Sequence, residues 1–231
     1  ELERSEALGQ LTEGYESVVG IAGCHGKTTI TSMLALICEQ GGPDATVHIG
    51  GFVDFLNGGV RLGAHDMFIT EACEYVESFL TLRPTIALIN NIDNDHLDYY
   101  GDMEHIVAAF KKFAALLPEN GLLIGNTDDF RVRALMAEHT GRKLSYGMKD
   151  ADYTPANINY DDNGCPGFDI MFRGEKLMHI QLRIPGEHSV MNAIAAAAVA
   201  REIGADDKCI VSALNAFRNT RRRFEYYGER N

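Results

Sequence analysis

Residues Ser17 to Thr29 read SVVGIAGCHGKTT, and the fold is decided here. An apolar, β-branched run, Val18 to Ala22, enters Gly23-Cys24-His25-Gly26. Lys27, Thr28 and Thr29 follow, and then a helical pattern begins. Strand, glycine loop, lysine, hydroxyl and helix come in the order of a phosphate-binding loop. The glycines let backbone N–H groups turn inward on phosphate oxygens. The lysine adds a point charge, and the first hydroxyl after it can ligate Mg²⁺. The helix N-terminus behind the loop favours anions too. The longer pattern G-x-x-x-x-G-K-[ST] is not met, because its first glycine falls on Ile21; the chain carries the shorter G-x-x-G-K-T-T. A bare G-K-T triplet says little, and its place between strand and helix gives it weight. The competing account is a plain strand-to-helix turn with a chance lysine.

Outward from this loop the chain alternates. Ser32 to Glu39 continues the helix, with Gly41-Gly42-Pro43 as its stop. Ala45 to Ile49 reads as a short strand before a glycine-rich stretch. Met67 to Thr70 is an apolar run ending at Glu71, and Thr85 to Ile89 is another, ending at Asn90-Asn91. Met103 to Leu117 is helical and stops at Pro118; Gly121 to Gly125 is a strand, and Asp129 to His139 a helix. Apolar runs without alternation, separated by helices, predict strands of a parallel sheet buried on both faces. From Asp152 to Ile184 the texture changes. Tyr153 to Tyr160, Phe168 to Phe172 and Leu177 to Ile184 partly alternate, with turn residues between them, and predict a small antiparallel sheet packed on the main one. Helices over Ser189 to Arg201 and Asp206 to Arg218 precede the basic cluster Arg221-Arg222-Arg223. The fold class expected is therefore α/β: a mostly parallel phosphate-loop sheet flanked by helices, with a small antiparallel sheet.

Bulk composition narrows the function classes. The 231 residues are 45% hydrophobic, enough for one large α/β domain or one with a small appendage. A formal net charge of -12 argues against nucleic acid or an anionic membrane as the main partner. Five cysteines without a C-x-x-C pair fit reduced thiols in a cytoplasmic protein better than a disulfide framework or a zinc site. No signal peptide or membrane-length apolar run is visible. The first residue is Glu1, not Met, and a helical pattern from that residue to Glu13 reads as a continuation of something longer.

Open α/β sheets bind ligands beyond the carboxyl ends of their strands, and the chemistry-bearing residues gather there. Glu71 ends one strand; Asn91, Asp95, His96 and Asp98 follow another in NNIDNDHLDYYG. A carboxylate and a nearby imidazole can hold a divalent ion beside phosphates bound by Lys27 and Thr28. The alternative is that Asp95, His96 and Asp98 cap a helix or tie a loop. His48, His65, His105, His139 and His179 lack such company and read as surface or structural residues. Cys24, inside the loop, reads as a small side chain that fits there.

Six strings in order, GCHGKTT, EACE (Glu71 to Glu74), NIDNDHLDYYG, NTDD (Asn126 to Asp129), GEHSVMNAIAAA from Gly186 and RRRFEYYG from Arg221, resemble the central domain of the Mur ligases of peptidoglycan synthesis. The resemblance covers nearly the whole chain and is nearest to the branch that joins L-alanine to UDP-N-acetylmuramate. It implies an ATP-dependent, amide-forming cytoplasmic ligase that uses Mg²⁺, with UDP-N-acetylmuramate and L-alanine as its partners. ATP would phosphorylate the lactyl carboxylate, and the amine would attack the acyl phosphate. It also implies that residues 1–16 end a preceding domain or form a linker helix. Residues 17–220 would be the ATP-binding domain, and 221–231 a linker to a C-terminal domain.

Residue by residue, the resemblance gives Gly23, Cys24, His25, Gly26 and Thr29 to the loop, Lys27 to the β/γ-phosphates and Thr28 to Mg²⁺. It pairs Glu71 with His96 in a second metal site and makes Asn91 a polar strand-end residue. Asn192 becomes the adenine reader with His188 close by, and Arg223 a phosphate contact near the hinge to the third domain. Three positions depart from the family pattern: Cys24 stands where Thr is usual, Cys73 where an acidic residue is common, and Ser189 where Asn is usual. Lys111 lies near the position of a modified lysine in other branches and reads here as a surface lysine. Rival readings are a folylpolyglutamate-type ligase, which would share loop and metal site, and a nucleotide-binding module inactive alone. A GTPase would need an N-K-x-D motif, which Asn126-Thr127-Asp128-Asp129 does not supply.

Overall fold

The structure, a computed structural model, describes residues 3–218. In chain order its elements are α1 (Arg4–Thr12), β1 (Ser17–Ala22), α2 (Lys27–Glu39), β2 (Ala45–Val53), β3 (Gly58–Arg61), β4 (Ala64–Glu71), β5 (Ile86–Ile89), α3 (Leu97–Tyr100), α4 (Met103–Ala114), β6 (Leu122–Asn126), α5 (Phe130–Glu138), β7 (Arg142–Tyr146), β8 (Tyr153–Tyr160), β9 (Pro166–Phe172), β10 (Glu175–Gln181), α6 (Glu187–Glu202) and α7 (Asp207–Ala216). Short 3₁₀ turns add Asp54–Leu56 and Tyr75–Thr81.

The strands form one ten-stranded sheet in the order β10-β9-β8-β7-β6-β5-β1-β4-β2-β3. From β2 through β4, β1, β5, β6 and β7 to β8 every pairing is parallel. Side chains alternate between two apolar layers, as the pleat requires. Val19, Ile21, Ile69, Leu88 and Ile124 face α2, α6 and α7; Ala22, Ala87, Ile89 and Leu123 face the layer of α4 and α5. On that second face Phe79 stacks on Phe113 with ring centroids 4.8 Å apart. The expected parallel strands and their helices are present.

The antiparallel strands are also present, but they do not pack on the main sheet as expected. They extend it edge to edge: β8 meets β7 through the single pair Tyr146↔Tyr153, and β9 and β10 follow antiparallel. Hydrogen bonds along an open edge satisfy backbone groups that face-to-face stacking would leave unpaired.

Three adjacent parallel strands set the position of the site. Ile21 of β1 lies in register with Glu71 of β4, and Ala22 with Ile89 of β5. The loops leaving β1, β4 and β5 therefore emerge side by side at one end of the sheet.

Candidate functional site

The loop after β1 crosses Gly23–Gly26 and enters α2 at Lys27. Gly26 is the N-cap of that helix, with φ 88° and no side-chain cap. The first helical bond, Ile30 N–H to Gly26 O, is 3.0 Å. The N–H groups of Lys27, Thr28 and Thr29 precede it and have no intrahelical acceptor, which leaves donors and the helix dipole for an anion. The loop is gripped from the end of β5. Asn91 accepts from His25 N–H at 2.8 Å and donates to His25 O at 3.0 Å, and Asn90 Nδ2 donates to the same carbonyl at 2.9 Å. Behind this clamp Tyr146 donates to Asn90 Oδ1 at 2.6 Å, while Asn90 Nδ2 reaches Asn192 Oδ1 at 3.4 Å. A Cβ on Gly26 would lie 2.4 Å from Asn90 Nδ2 and 2.7 Å from Asn192 Oδ1, so both the space and the positive φ require glycine.

Two glutamates from the EACE string divide the charged work. Glu71 receives Thr28 Oγ1–H at 3.2 Å on one oxygen and Gly50 N–H at 2.9 Å on the other. Glu74, 1% exposed, takes Lys27. The ammonium donates to its carboxylate oxygens at 3.0 and 2.7 Å and to the carbonyl of Gly23. His96 Nε2 lies 3.8 Å from Glu74 and 3.8 Å from Asp95, and its ring tilts against Tyr75 with centroids 4.7 Å apart. The backbone here is in unfavourable conformations: Val76, Glu77 and His96 all have φ near +50°. Such strain in a β-branched and two long residues gathers at functional sites.

The resemblance pairs Glu71 with His96, but the structure groups His96 with Glu74 and Asp95, one ligand atom from each within 4.8 Å of the others. The reason is register. Glu71 ends β4 beside α2 and faces Thr28 and Gly50. The chain then leaves the sheet and turns over Tyr75–Thr81, which carries Glu74 to Lys27 and His96. In sequence, Glu74 stands out only by its spacing of three from the strand-end Glu71 in the EACE string. The hydroxyl and carboxylate of Thr28 and Glu71 suit a hard cation that keeps other positions for phosphate and water. Glu74, Asp95 and His96 also suit a divalent ion.

Other expected residues fall as follows. Asp95 also ties its own loop, accepting from His96 N–H at 2.9 Å. His188 stands in the first turn of α6, and Asn192, 5% exposed, is seated against the foot of the loop. Ser189 Oγ–H donates to Pro185 O at 2.7 Å. Lys111 pairs with Glu138 on the surface at 2.7 Å. His48, His105 and His179 are bonded to Thr70, Asp102 and Asp169. Arg223, with Arg221 and Arg222, lies outside the described residues. Cys24 fits its small space: Sγ donates to Asp93 O at 3.4 Å and accepts from Asp93 N–H at 3.2 Å, while burial pushes the thiol pKa up to about 11. Beside Lys27 and Glu71 a cavity of about 420 Å³ opens toward α1, with Arg4, His48, Gly50 and Cys73 also in its wall.

A glycine loop on an interior strand, an N-terminal helix end free for anions and a carboxylate at the end of the neighbouring strand β4 define a phosphate-binding α/β domain. The family model described as "Mur ligase middle domain" matches residues 21–200, and the chain belongs to that family. Among curated relatives, UDP-N-acetylmuramate–L-alanine ligase of Clostridium beijerinckii is 42% identical over 231 residues, covering all of this chain and 50% of that protein. The enzyme of the same name from Clostridium perfringens is 40% identical over 230 residues, with the same coverage. The chain thus spans about half the length of the curated relatives it matches. Among solved structures, UDP-N-acetylmuramate–alanine ligase of Thermotoga maritima superposes with a TM-score of 0.81 at 26% identity, covering 97% of this chain and 50% of that one. A UDP-N-acetylmuramate:L-alanyl-γ-D-glutamyl-meso-diaminopimelate ligase from Neisseria meningitides gives 0.83 at 27%, covering 94% and 71%. Among the described residues no helix is long and apolar enough to cross a membrane.

Proposed function

We propose that this chain is the ATP-binding central part of a cytoplasmic ligase that joins L-alanine to UDP-N-acetylmuramate through an acyl phosphate. The observation that carries the ATP reading is the loop itself: N–H groups without intrahelical acceptors at the start of α2, with Lys27 on the loop and Thr28 bonded to Glu71. The choice of substrates rests on the relatives, at 42% and 40% identity over the length of this chain. A carboxylate is a poor acyl donor until it carries a leaving group. Catalysis would therefore consist mainly of positioning and charge neutralisation around the transferred phosphoryl group.

In this reading the loop N–H groups and Lys27 hold the β- and γ-phosphates. Mg²⁺, held by Thr28 and Glu71, would neutralise phosphate charge, and the Glu74–Asp95–His96 group is the place for a second ion. Adenine reading by Asn192 with His188 and phosphate contact by Arg223 belong to the same proposal, as do the domain limits 17–220 and 221–231. Two experiments test it. Calorimetric titration of the 231-residue chain should show saturable MgATP binding, weaker MgGTP binding and loss of both in Lys27→Ala. A longer chain carrying the flanking domains should release phosphate only when UDP-N-acetylmuramate and L-alanine are both present. ATP binding without that dependence would favour another ligase of the superfamily or a pure binding module.

A further inference from the structure

The phosphate-loop lysine of this chain is already engaged. Lys27 Nζ gives its protons to the Glu74 carboxylate, at 2.7 and 3.0 Å, and to the Gly23 carbonyl, with Cys24 O at 3.5 Å. An ammonium has three donors, and this arrangement leaves none for a phosphate. The pair is secluded: the side chains are 15% and 2% exposed. It is also built in. The Glu74 carbonyl accepts from the buried Tyr100 hydroxyl, and the turn that follows runs through the positive-φ residues Val76 and Glu77. Removing the lysine from Glu74 would leave a carboxylate in a dry place, which is costly unless another cation replaces it. A place for such a cation is adjacent, since His96 and Asp95 share a donor cluster with Glu74.

We propose that Glu74 is a latch on Lys27. Without nucleotide it holds the ammonium on the loop's own carbonyl side. Phosphate binding exchanges the Lys27–Glu74 pair for a Lys27–phosphate pair, and the released carboxylate turns its charge to a divalent cation beside His96 and Asp95. Glu74 is thus a positioning residue, and it couples nucleotide affinity to metal. The inference rests on the reading of Gly23–Thr28 as a nucleotide phosphate loop, and it adds an opposing charge to that loop.

The test uses Glu74→Gln in the 231-residue chain, with Glu74→Asp as a charge-retaining variant and thermal melting to establish that each is folded. In EDTA, ATP should bind Glu74→Gln about tenfold more tightly than wild type, because the fraction of chains with Lys27 free limits the apparent affinity. The gain in ATP affinity on adding Mg²⁺ should shrink in Glu74→Gln and persist in Glu74→Asp. A purely structural role predicts weaker binding with and without metal, and that result overturns the latch. A second readout needs no nucleotide: trace acetylation by acetic anhydride, with peptide mass spectrometry comparing Lys27 with the exposed Lys149. Lys27 should react several-fold faster in Glu74→Gln than in wild type; equal rates overturn the latch whatever ATP does. If Lys27 is released but neither protein binds ATP, the ion pair stands and the nucleotide reading falls.

Discussion

Two buried carboxylates, at opposite regions of one sheet, show what separates a site from a scaffold. Asp169 on β9 is 5% exposed and Glu74 after β4 is 1% exposed, and each binds a lysine at 2.7 to 2.8 Å. Asp169 is saturated by neighbours on adjoining strands: Lys176 at 2.8 Å, His179 at 2.7 Å and Asn157 at 2.9 Å. Those hydrogen bonds hold its carboxyl well below the usual carboxylate range. Glu74 instead takes its cation from the loop before α2, whose N–H groups are free for an anion, and its carboxylate also lies near His96 and Asp95. The first carboxylate is settled by the fold; the second competes for its lysine with a ligand. Changes near Asp169 should therefore alter stability alone, and changes near Glu74 should alter binding first.

The largest effect should come from Gly26→Ala. The new methyl meets Asn90 and Asn192 within 2.7 Å, at a backbone φ of 88°. Strain of about 3 kcal/mol is expected there, which corresponds to about 100-fold in MgATP affinity if the loop relaxes only by losing its binding geometry. Calorimetry measures it. Affinity within a few-fold of wild type would show that the loop rearranges freely and would erase the contrast with the Asp169 cluster on the antiparallel edge.

How far the sequence announced this contrast depends on the kind of signal. SVVGIAGCHGKTT gave strand, loop and helix, because glycine, lysine and hydroxyl spacing is local chemistry. Glu71 and Asn91 were visible as polar residues ending apolar runs, and both lie where those runs predicted. Glu74 was hidden because its meaning lies in a turn with positive φ at Val76 and Glu77, which no periodicity announces. Strand β7, RKLSY, carries no apolar run, because its first two residues are exposed and charged. The same holds for Tyr146 at its end, whose hydroxyl braces Asn90 across the intervening strand β6. The joining of β8 to β7 was equally out of reach, since one residue pair makes it.

Asp169→Asn should come next. Loss of one charged partner in this cluster should cost about 2 kcal/mol, or about 4–8 °C in melting temperature for a chain of this size, with ATP affinity unchanged. The pH dependence has a fixed sign. The folded-state pKa lies below the unfolded value near 4. The charge contribution is thus complete above that value and is lost as pH falls below it. The gap between wild type and variant melts should narrow steadily as pH falls below the unfolded value, and a gap that stays constant from pH 5 down to pH 2 would assign the loss to packing.

Tyr146→Phe probes the link between the two regions. The hydroxyl is fully buried and its pKa is pushed well above the usual phenol value by that burial. The hydrogen bond to Asn90 Oδ1 is therefore always made by a neutral donor. Its removal leaves a buried amide oxygen without this donor and should cost about 1–2 kcal/mol. Because Asn90 also grips His25 O, ATP affinity should fall several-fold as well. Loss of stability with no change in affinity would mean that Asn91 alone positions the loop.

The smallest effect is expected at Cys24, the departure from the family pattern that sits inside the loop. Its sulfur both donates to and accepts from the Asp93 backbone, which is what a threonine hydroxyl would do at closer range. Cys24→Thr should change MgATP affinity by less than about twofold, roughly 0.4 kcal/mol. The thiol itself, pushed to about 11 by burial, is almost wholly protonated at pH 8. Iodoacetamide at that pH should label the exposed Cys73 first and leave Cys24 largely intact. Rapid alkylation of Cys24 that is blocked by ATP would show a loop that opens to solvent in the absence of nucleotide. The phosphate-loop end would then be the mobile region of the two.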